Sequence, residues 1–214
     1  MLQYTGYILT GVIGTVTITV SAFLIGAVLG VPLAVASRST ARILRWPAVS
    51  LIEVFRSVPN LVWLFLVFFG LPEVGVRLGP WTTAILTLGV TSSAYLGEIY
   101  RGGFSGLAQG QWLASKALGL TTWDRGRYVL APQLVRVVSP TMATYAISLL
   151  KESALASTIG VMELTFRGGL VTQRTGDGLS TFVVVGVVYL LLSLPLAYGS
   201  RRVDSRLRAK FSVG

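Results

Sequence analysis

Six ionisable side chains lie within segments of this chain that are otherwise apolar. They form three groups, Glu53 with Arg56, Glu98 with Arg101, and Lys151 with Glu152. A charge inside a bilayer is costly, so such groups usually line a polar pathway or face a partner. In the first two groups the charges stand three residues apart, one helical turn, so the alternative is that they only neutralise each other near the headgroups.

Lys151 and Glu152 favour a polar lining, because neighbouring positions on a helix point in different directions and cannot simply pair. Ser153 adds a polar group beside them. A second polar feature is the run from Arg56 to Pro59, where the proline removes a backbone donor. A membrane tolerates a broken helix where the chain is buried or lines a cavity. An ordinary proline kink is the alternative at that position.

The composition excludes several other chemistries. The chain has no Cys and no His, so disulfides, thiol chemistry, zinc sites and Ser-His-Asp catalysis are not expected. It has no G-x-x-x-x-G-K-[ST] run, so it cannot itself supply a nucleotide-binding P-loop. We therefore expect no metal site, no bound cofactor and no enzymatic activity from this chain by itself.

The candidate residues must be held by membrane-spanning helices. Apolar residues make up 53% of the 214 residues and charged residues 12%, and the mean hydropathy is +0.72. A spanning helix needs about 20 mostly apolar residues. We predict one all-α membrane domain over residues 1–214, with five transmembrane helices at about 5–37, 46–71, 81–103, 137–161 and 179–200. The first is predicted to be a retained span, because its apolar run is far longer than a signal-peptide core.

Lys and Arg predict the orientation of these spans. The formal charge of +10 could indicate nucleic acid, but the bases stand between the apolar segments, as membrane-orienting charges do. Twelve of them fall in the first loop, the loop between spans three and four, and the C-terminal tail. Three fall in the opposite loops, at Arg77, Arg167 and Arg174. We therefore predict a multi-pass protein with its N-terminus outside and its C-terminus in the cytosol, and no nucleic-acid partner.

The loop between spans three and four, residues 104–136, is long enough to have a role of its own. Gln111–Leu118 is compatible with a helix, and Gly119 is a typical helix end. Thr121 or Thr122 would cap a second helix start. The apolar side chains of these short helices could insert into another protein. The alternative is an amphipathic pair that lies on the membrane surface. After them, Pro132 is predicted to break the chain before span four.

Five pieces of the sequence, in order and over nearly the whole chain, resemble a single family. Gly110–Leu120, followed by Leu130-Ala131-Pro132-Gln133, resembles the EAA loop of ABC importer permeases. The Gln ahead of that loop and the Ala-Leu-Gly-Leu after it resemble the polar-amino-acid branch, the histidine and glutamine permease type. Glu53–Pro59 resembles the motif E-x-x-R-G-T-P of that branch, and Ala94–Gly103 resembles its A-Y-x-x-E-x-x-R-G-G. Leu150–Leu155 resembles its L-K-D-T-S-L, and Glu163-Leu164 resembles its E-L.

The sequence departs from the family pattern in both the loop and the spans. Leu113 stands where the EAA loop has its glutamate, and Ala131 stands before Pro132 where the family has Leu. Ser57-Val58 replaces Gly-Thr, and Glu152-Ser153-Ala154 replaces Asp-Thr-Ser. We expect the last two changes to bear on substrate preference.

The resemblance implies an assembly in the bacterial cytoplasmic membrane. Two permease subunits, identical or homologous, would form the pathway among membrane lipids, and an extracytoplasmic binding protein would deliver an amino acid. Two ATPase subunits, which would hold ATP and Mg, would dock on the coupling loop. The coupling residues are then Gln111, Trp112, Leu113, Ala114, Ala117, Leu118, Gly119 and Leu120.

The resemblance also implies a substrate pathway for a polar or charged amino acid. Its candidate residues are Arg56, Pro59, Glu98, Lys151, Glu152 and Ser153. By charge, Arg56 and Lys151 would attract a carboxylate, while Glu98 and Glu152 would attract an ammonium group or a basic side chain. A non-transporting membrane scaffold and an ATP-independent channel are the alternative functions.

Overall fold

The protein consists of helices joined by short turns. A computed structural model describes residues 2–107 and 109–211, and these ranges contain no strand, which confirms the all-α prediction. The α-helices are α1 Leu2–Leu9, α2 Gly11–Ser37, α3 Arg42–Ser57, α4 Asn60–Phe65, α5 Pro80–Ser105, α6 Gln109–Ala117, α7 Thr122–Asp124, α8 Ala131–Glu152, α9 Leu164–Thr175 and α10 Gly178–Phe211. Other helical turns extend three of them: Leu66–Gly70 (π) and Leu71–Val74 (3-10) after α4, Arg125–Leu130 (π) between α7 and α8, and Ser153–Ile159 (3-10) after α8.

Helices α2 and α5 form the centre of the fold. A Cβ added to Gly26 would lie 2.5 Å from the Cβ of Ser92, and one added to Gly30 would lie 2.9 Å from the backbone nitrogen of Gly97. Glycine at these positions lets the two backbones approach closely, as small residues do between membrane helices. The buried core continues from this pair toward α8.

Two helices in the described part of the chain are long and apolar enough to cross a membrane. They cover Tyr4–Ser37 and Gly178–Gly199, which match predicted spans one and five. Helices α5 and α8 have 26 and 22 residues. At about 1.5 Å per residue each could cover a hydrocarbon core of about 30 Å. Both helices carry charged residues, so only their length indicates that they cross a membrane. The count of five spans therefore stays a prediction.

Predicted span two, 46–71, is not one straight helix. Helix α3 ends at Ser57, Val58 and Pro59 have extended backbone, and the helical segment that starts at Asn60 lies at 99° to α3. The cause is local, because a residue before proline is driven out of the helical region and proline has no amide hydrogen to donate. Pro59 therefore separates two helices rather than kinking one.

The prediction that Pro132 breaks the chain is wrong. Helical structure runs without interruption from Thr122 through the π-helical turns into α8, and Pro132 lies in the first turn of α8. A proline is tolerated in a first turn, where its missing amide hydrogen costs little. This long helical rod runs from Thr122, in the loop between α5 and α8, to Glu152.

The outer end of predicted span four, 137–161, also differs. Helix α8 ends at Glu152, a 3-10 helix continues to Ile159, and Gly160 has a left-handed backbone with φ of 85°. Glu152 therefore lies where α-helical hydrogen bonding gives way to 3-10 turns, and the chain stays helical to Ile159.

A helix also occupies the predicted outer loop after span four. Helix α9 has 12 residues, starts after Glu163 and packs against α2 and α10. Glu163 bonds to Thr15 and Tyr189, each of which lies eleven residues inside its candidate span. At about 1.5 Å per residue this is roughly 16 Å along each helix, so α9 starts well away from the first residue of both. Helix α10 in turn continues to Phe211, beyond the predicted end of span five at residue 200.

Candidate functional site

The break after α3 and the end of α8 meet at one hydrogen bond. The amide nitrogen Nδ2 of Asn60 donates to the carboxylate oxygen Oε2 of Glu152 over 2.6 Å. Both side chains are half-buried, and the Oδ1 atom of Asn60 is buried without a hydrogen-bond partner. A buried acceptor without a donor is unfavourable. Asn60 therefore orients Glu152, while its Oδ1 atom has no donor among the described residues.

Two stacked tyrosine rings lie beside this contact, and the guanidinium of Arg56 lies over one of them. The guanidinium carbon of Arg56 lies 5.8 Å from the centre of the Tyr95 ring, within cation–π range. Tyr95 stacks on Tyr145 with ring centres 5.3 Å apart and an angle of 21°. The hydroxyl of Tyr145 donates to Oγ of Ser92 over 2.8 Å. Both Arg56 and Glu152 act electrostatically on Tyr95, so opposite charges lie within reach of one ring.

The second predicted pair, Glu98 with Arg101, forms a two-pronged ion pair. Nε of Arg101 donates to Oε2 of Glu98 over 2.8 Å, and Nη2 donates to Oε1. Arg56 adds a further positive charge near Glu98. Glu53 makes no ion pair among the described residues and is exposed, so the pairing of Glu53 with Arg56 considered from sequence does not form. Arg56 is left to contact Tyr95.

The other predicted pathway residues are placed differently from one another. Lys151 is exposed while the adjacent Glu152 is half-buried, so the two charges do leave the helix in different directions. Pro59 is exposed at the break. Ser153 is fully buried, and its hydroxyl donates to the carbonyl of Leu150 over 2.8 Å. The Ser153 hydroxyl thus bonds to its own helix.

Sequence reasoning missed three members of this cluster, Asn60, Tyr95 and Tyr145. Asn60 directly follows the proline that breaks the helix, and Tyr95 lies in the Ala94–Gly103 piece. Tyr145 stands seven residues before Glu152, two turns away on the same face of α8. That spacing is a signal, although an uncharged tyrosine in an apolar helix does not attract notice by itself.

The loop between α5 and α8 contains the predicted helix, and Gly119 forms the end of that helix. Helix α6 closes in a Schellman motif, in which the amide of Gly119 donates to the carbonyl of Lys116 and the amide of Leu120 donates to that of Ser115. Gly119 has φ of 71°, the left-handed conformation that favours glycine. Thr121 then caps α7 by accepting from the amide of Asp124. Both the helix end and the cap confirm the sequence prediction.

Apolar side chains of this loop face outward. Leu113 is 69% exposed and Leu118 78%, and Trp123 in α7 is 72% exposed. Gln111, Ala114 and Ala117 are exposed as well, while Trp112 and Leu120 are half-buried. Exposed apolar side chains grouped on one element are typical of a surface that another protein covers.

Helix α6 is joined to the rod formed by α7, the π-helical turns and α8. Nε2 of Gln133 donates to Oε1 of Gln111 over 3.2 Å, and Nη2 of Arg125 donates to the carbonyl of Leu120 over 3.3 Å. The far end of the rod carries Tyr145 and Glu152. Two hydrogen bonds therefore connect α6 and the segment that follows it to the rod that carries the charged cluster. Within residues 2–107 and 109–211, there is no group of three or more His, Cys, Asp or Glu side chains that could hold a metal ion.

Long apolar helices, charged side chains grouped around aromatic rings and a loop helix with exposed leucines are typical of membrane transport components. A family model described as the binding-protein-dependent transport system inner membrane component matches residues 24–209. The match covers most of the chain, and the chain belongs to this family.

Individual relatives cover nearly the same length. The probable amino-acid ABC transporter permease protein YckA of Bacillus subtilis is 33% identical, over 86% of this chain and 81% of its own. The arginine transport system permease protein ArtQ of the same species is 32% identical, over 95% and 93%. A crystal structure of an amino acid ABC transporter with histidines matches with a TM-score of 0.89 at 31% identity, over 96% of both chains.

Proposed function

We propose that this chain is the permease subunit of an ATP-driven importer that moves a polar or charged amino acid into the cytoplasm. The proposal is supported above all by the charges around Tyr95, where Arg56 and Glu152 both act on one aromatic ring. A zwitterion needs a cation for its carboxylate and an anion for its ammonium group. Both are rare at membrane depth, where ionisable residues usually mark a pathway.

Each residue of the cluster has a distinct part in this proposal. Arg56 attracts the substrate carboxylate, and its planar guanidinium suits such a contact. Glu152, oriented by Asn60, attracts the ammonium group or a basic side chain. The stacked rings of Tyr95 and Tyr145 form a rigid wall, since the bond to Ser92 fixes the second ring. Lys151 and Glu98 add charge of each sign at the edges.

The names of the relatives support an amino acid as the cargo. One of the relatives above is named for arginine, and the matched crystal structure is that of an amino acid ABC transporter with histidines. Both of these amino acids have a side chain that can carry a positive charge. A glutamate at the site, Glu152, fits such a side chain by charge.

The assembly proposed for this chain follows the resemblance. Five spans hold it in the membrane, with the N-terminus outside, and a second permease subunit completes the pathway. An extracytoplasmic binding protein delivers the substrate. Two ATPase subunits hold ATP and Mg and dock on the exposed face that includes Leu113 and Leu118.

Coupling then follows the contacts of the loop. Closure of the ATPase pair on ATP moves α6, and the bonds of Gln111 to Gln133 and of Arg125 to Leu120 pass the motion to α8. The other end of α8 carries Tyr145 and Glu152, so the substrate cluster changes with the state of the ATPases. A ligand shifts such an equilibrium only by its difference in affinity for the two states.

The test is uptake by the complex purified through a tag on this chain and reconstituted in liposomes. With the binding protein supplied, we expect ATP-dependent uptake of labelled arginine, histidine or glutamine. Unlabelled leucine in excess should compete poorly, because it offers no polar side chain. Equal uptake with and without ATP would favour a channel, and a purified chain without ATPase subunits would favour a scaffold.

A further inference from the structure

Glu163 is a fully buried carboxylate outside the charged cluster around Tyr95. Its Oε1 atom accepts from the amide of Phe166 over 2.7 Å, and Oε2 accepts from the hydroxyls of Tyr189 over 2.8 Å and Thr15 over 3.3 Å. Thr15 also accepts from the amide of Leu164 over 3.2 Å. One carboxylate therefore joins three elements: α2, the start of α9, and α10.

The backbone around Glu163 is pressed against α2. A Cβ added to Gly11 would lie 2.7 Å from Cα of Leu164, and one added to Gly14 would lie 3.0 Å from the carbonyl oxygen of Met162. On the other side of α9, a Cβ added to Gly168 would lie 2.6 Å from Val185 of α10. Helix α9 is thus held by glycine contacts on two sides, with the charged hydrogen bonds at its first turn.

The chain between Glu152 and Glu163 is held in a different way. The hydroxyls of Ser157 and Thr158 donate to carbonyls within the 3-10 turn, and that of Ser153 donates back to Leu150 in α8. Gly160 then ends the turn with a left-handed backbone. Short 3-10 stretches at a helix end often serve as connectors or hinges.

We infer that Glu163 is a positioning residue that locks α9 to α2 and α10, so that these three elements move as one body during transport. A displacement of the outer end of α8 is then absorbed by the turn 153–160. This turn lies between Glu152 and the hydrogen bonds of Glu163 with Thr15, Phe166 and Tyr189, which form the lock. Hydrogen bonds to a charged acceptor are stronger than neutral ones, and more so away from water. The inference rests on the proposed function, because it assigns which parts of the permease move together.

A reversible crosslink between α9 and α10 tests this directly. The chain has no Cys, so Gly168→Cys with Val185→Cys would give a single pair in it, at a separation suited to a disulfide. Loss of thiol labelling on oxidation measures whether the crosslink forms. We expect the oxidised complex to import amino acid at the rate of the reduced one, within about twofold, since α9 and α10 need no relative motion. A block of import on oxidation, or no crosslink, overturns the inference.

The lock itself is tested in the same background. With Glu163→Gln added, we expect the reduced complex to import roughly tenfold less amino acid per ATP hydrolysed, since a tenfold change is the scale of one charged hydrogen bond. Oxidation should restore the native ratio, which a defect in folding or assembly would not allow. Unchanged coupling in the reduced variant, or no rescue on oxidation, contradicts the lock.

A milder variant keeps the test open if Glu163→Gln does not assemble. Tyr189→Phe removes one hydroxyl that donates to Glu163. It should give the same loss of amino acid imported per ATP hydrolysed and the same recovery on oxidation. If Tyr189→Phe has no effect, the inference is contradicted. Tyr198→Phe, on an exposed part of α10, is the matched control and should behave as native. A native complex that imports no amino acid would contradict the proposed function. A native complex that imports, while its crosslinked form does not, contradicts the lock alone.

Discussion

Asn60 and Glu152 are joined by a hydrogen bond of 2.6 Å although they are 92 residues apart in the chain. Asn60 starts the helix after the Pro59 break, and Glu152 ends the rod that begins in the loop between α5 and α8. Any movement of the rod along its axis must carry Glu152 with it and either drag or release Asn60. This bond therefore lies where motion from the cytosolic side would reach the charged cluster.

Glu152→Gln is expected to change substrate selection. The variant keeps the size of the side chain but removes the negative charge that accepts from Asn60, so the apparent KM for arginine should rise about tenfold or more. This follows from the roughly 1.5–3 kcal/mol of a hydrogen bond to a charged group. Uptake of glutamine, which has an uncharged side chain, should change less. Uptake kinetics in liposomes with saturating binding protein separate the two.

Glu53→Gln is the matched control for that substitution. It makes the same acid-to-amide change on an exposed side chain without an ion partner among the described residues. We expect uptake within about twofold of native, as exposed charges contribute little. A Glu53 variant that fails while the Glu152 variant keeps native rate and selectivity would refute the site.

Glu98→Gln is expected to lower the uptake rate, because it leaves Arg101 without its partner. The pair is partly exposed, so its contribution is about 0–1 kcal/mol and the loss should be a few-fold. Removing Arg101 as well, as Glu98→Gln with Arg101→Gln, should restore part of the rate if the ion pair is the cause. If the uptake rate of the double variant falls by the product of the two single-variant effects, Glu98 and Arg101 act independently.

The two most apolar spans could be predicted from sequence because they are long and lack charge. Residues 5–37 and 179–200 were located almost to the residue. The Pro59 break could be placed but its angle of 99° could not, because the direction after a proline depends on what the next helix packs against. Helix α9 was missed since its 12 residues include two arginines and a glutamine, which resemble an outer loop.

The charged members of the candidate site stand out in the sequence, and its uncharged members do not. Arg56, Glu98 and Glu152 are conspicuous in apolar segments, whereas Asn60 and Tyr145 are not. Their roles come from contacts between residues 50 or more positions apart, such as Tyr145 with Tyr95 and Asn60 with Glu152. The Gly119 turn was predictable because its signal is local.

The orientation can be tested with single cysteines, since the native chain has none. Arg77 and Arg127 are both exposed, and the excess of basic residues places them on opposite sides. We expect Arg77→Cys to react with an impermeant thiol reagent in cells with a permeable outer layer, and Arg127→Cys to react only after the inner membrane is opened. The reverse pattern would invert the topology.

Gly119→Val is expected to uncouple ATP hydrolysis from transport while leaving membrane insertion intact. Gly119 has φ of 71°, a conformation in which a side chain costs about 1–3 kcal/mol and which a β-branched residue avoids most. The strain would shift Leu118 and Leu120 on either side of it, and with them the surface proposed to contact the ATPase. The ratio of amino acid imported to ATP hydrolysed should fall several-fold. Gly110→Ala, a substitution into open space on the same helix, should leave that ratio unchanged. If both variants couple normally, the left-handed turn has no part in transmitting motion from the ATPase to α8.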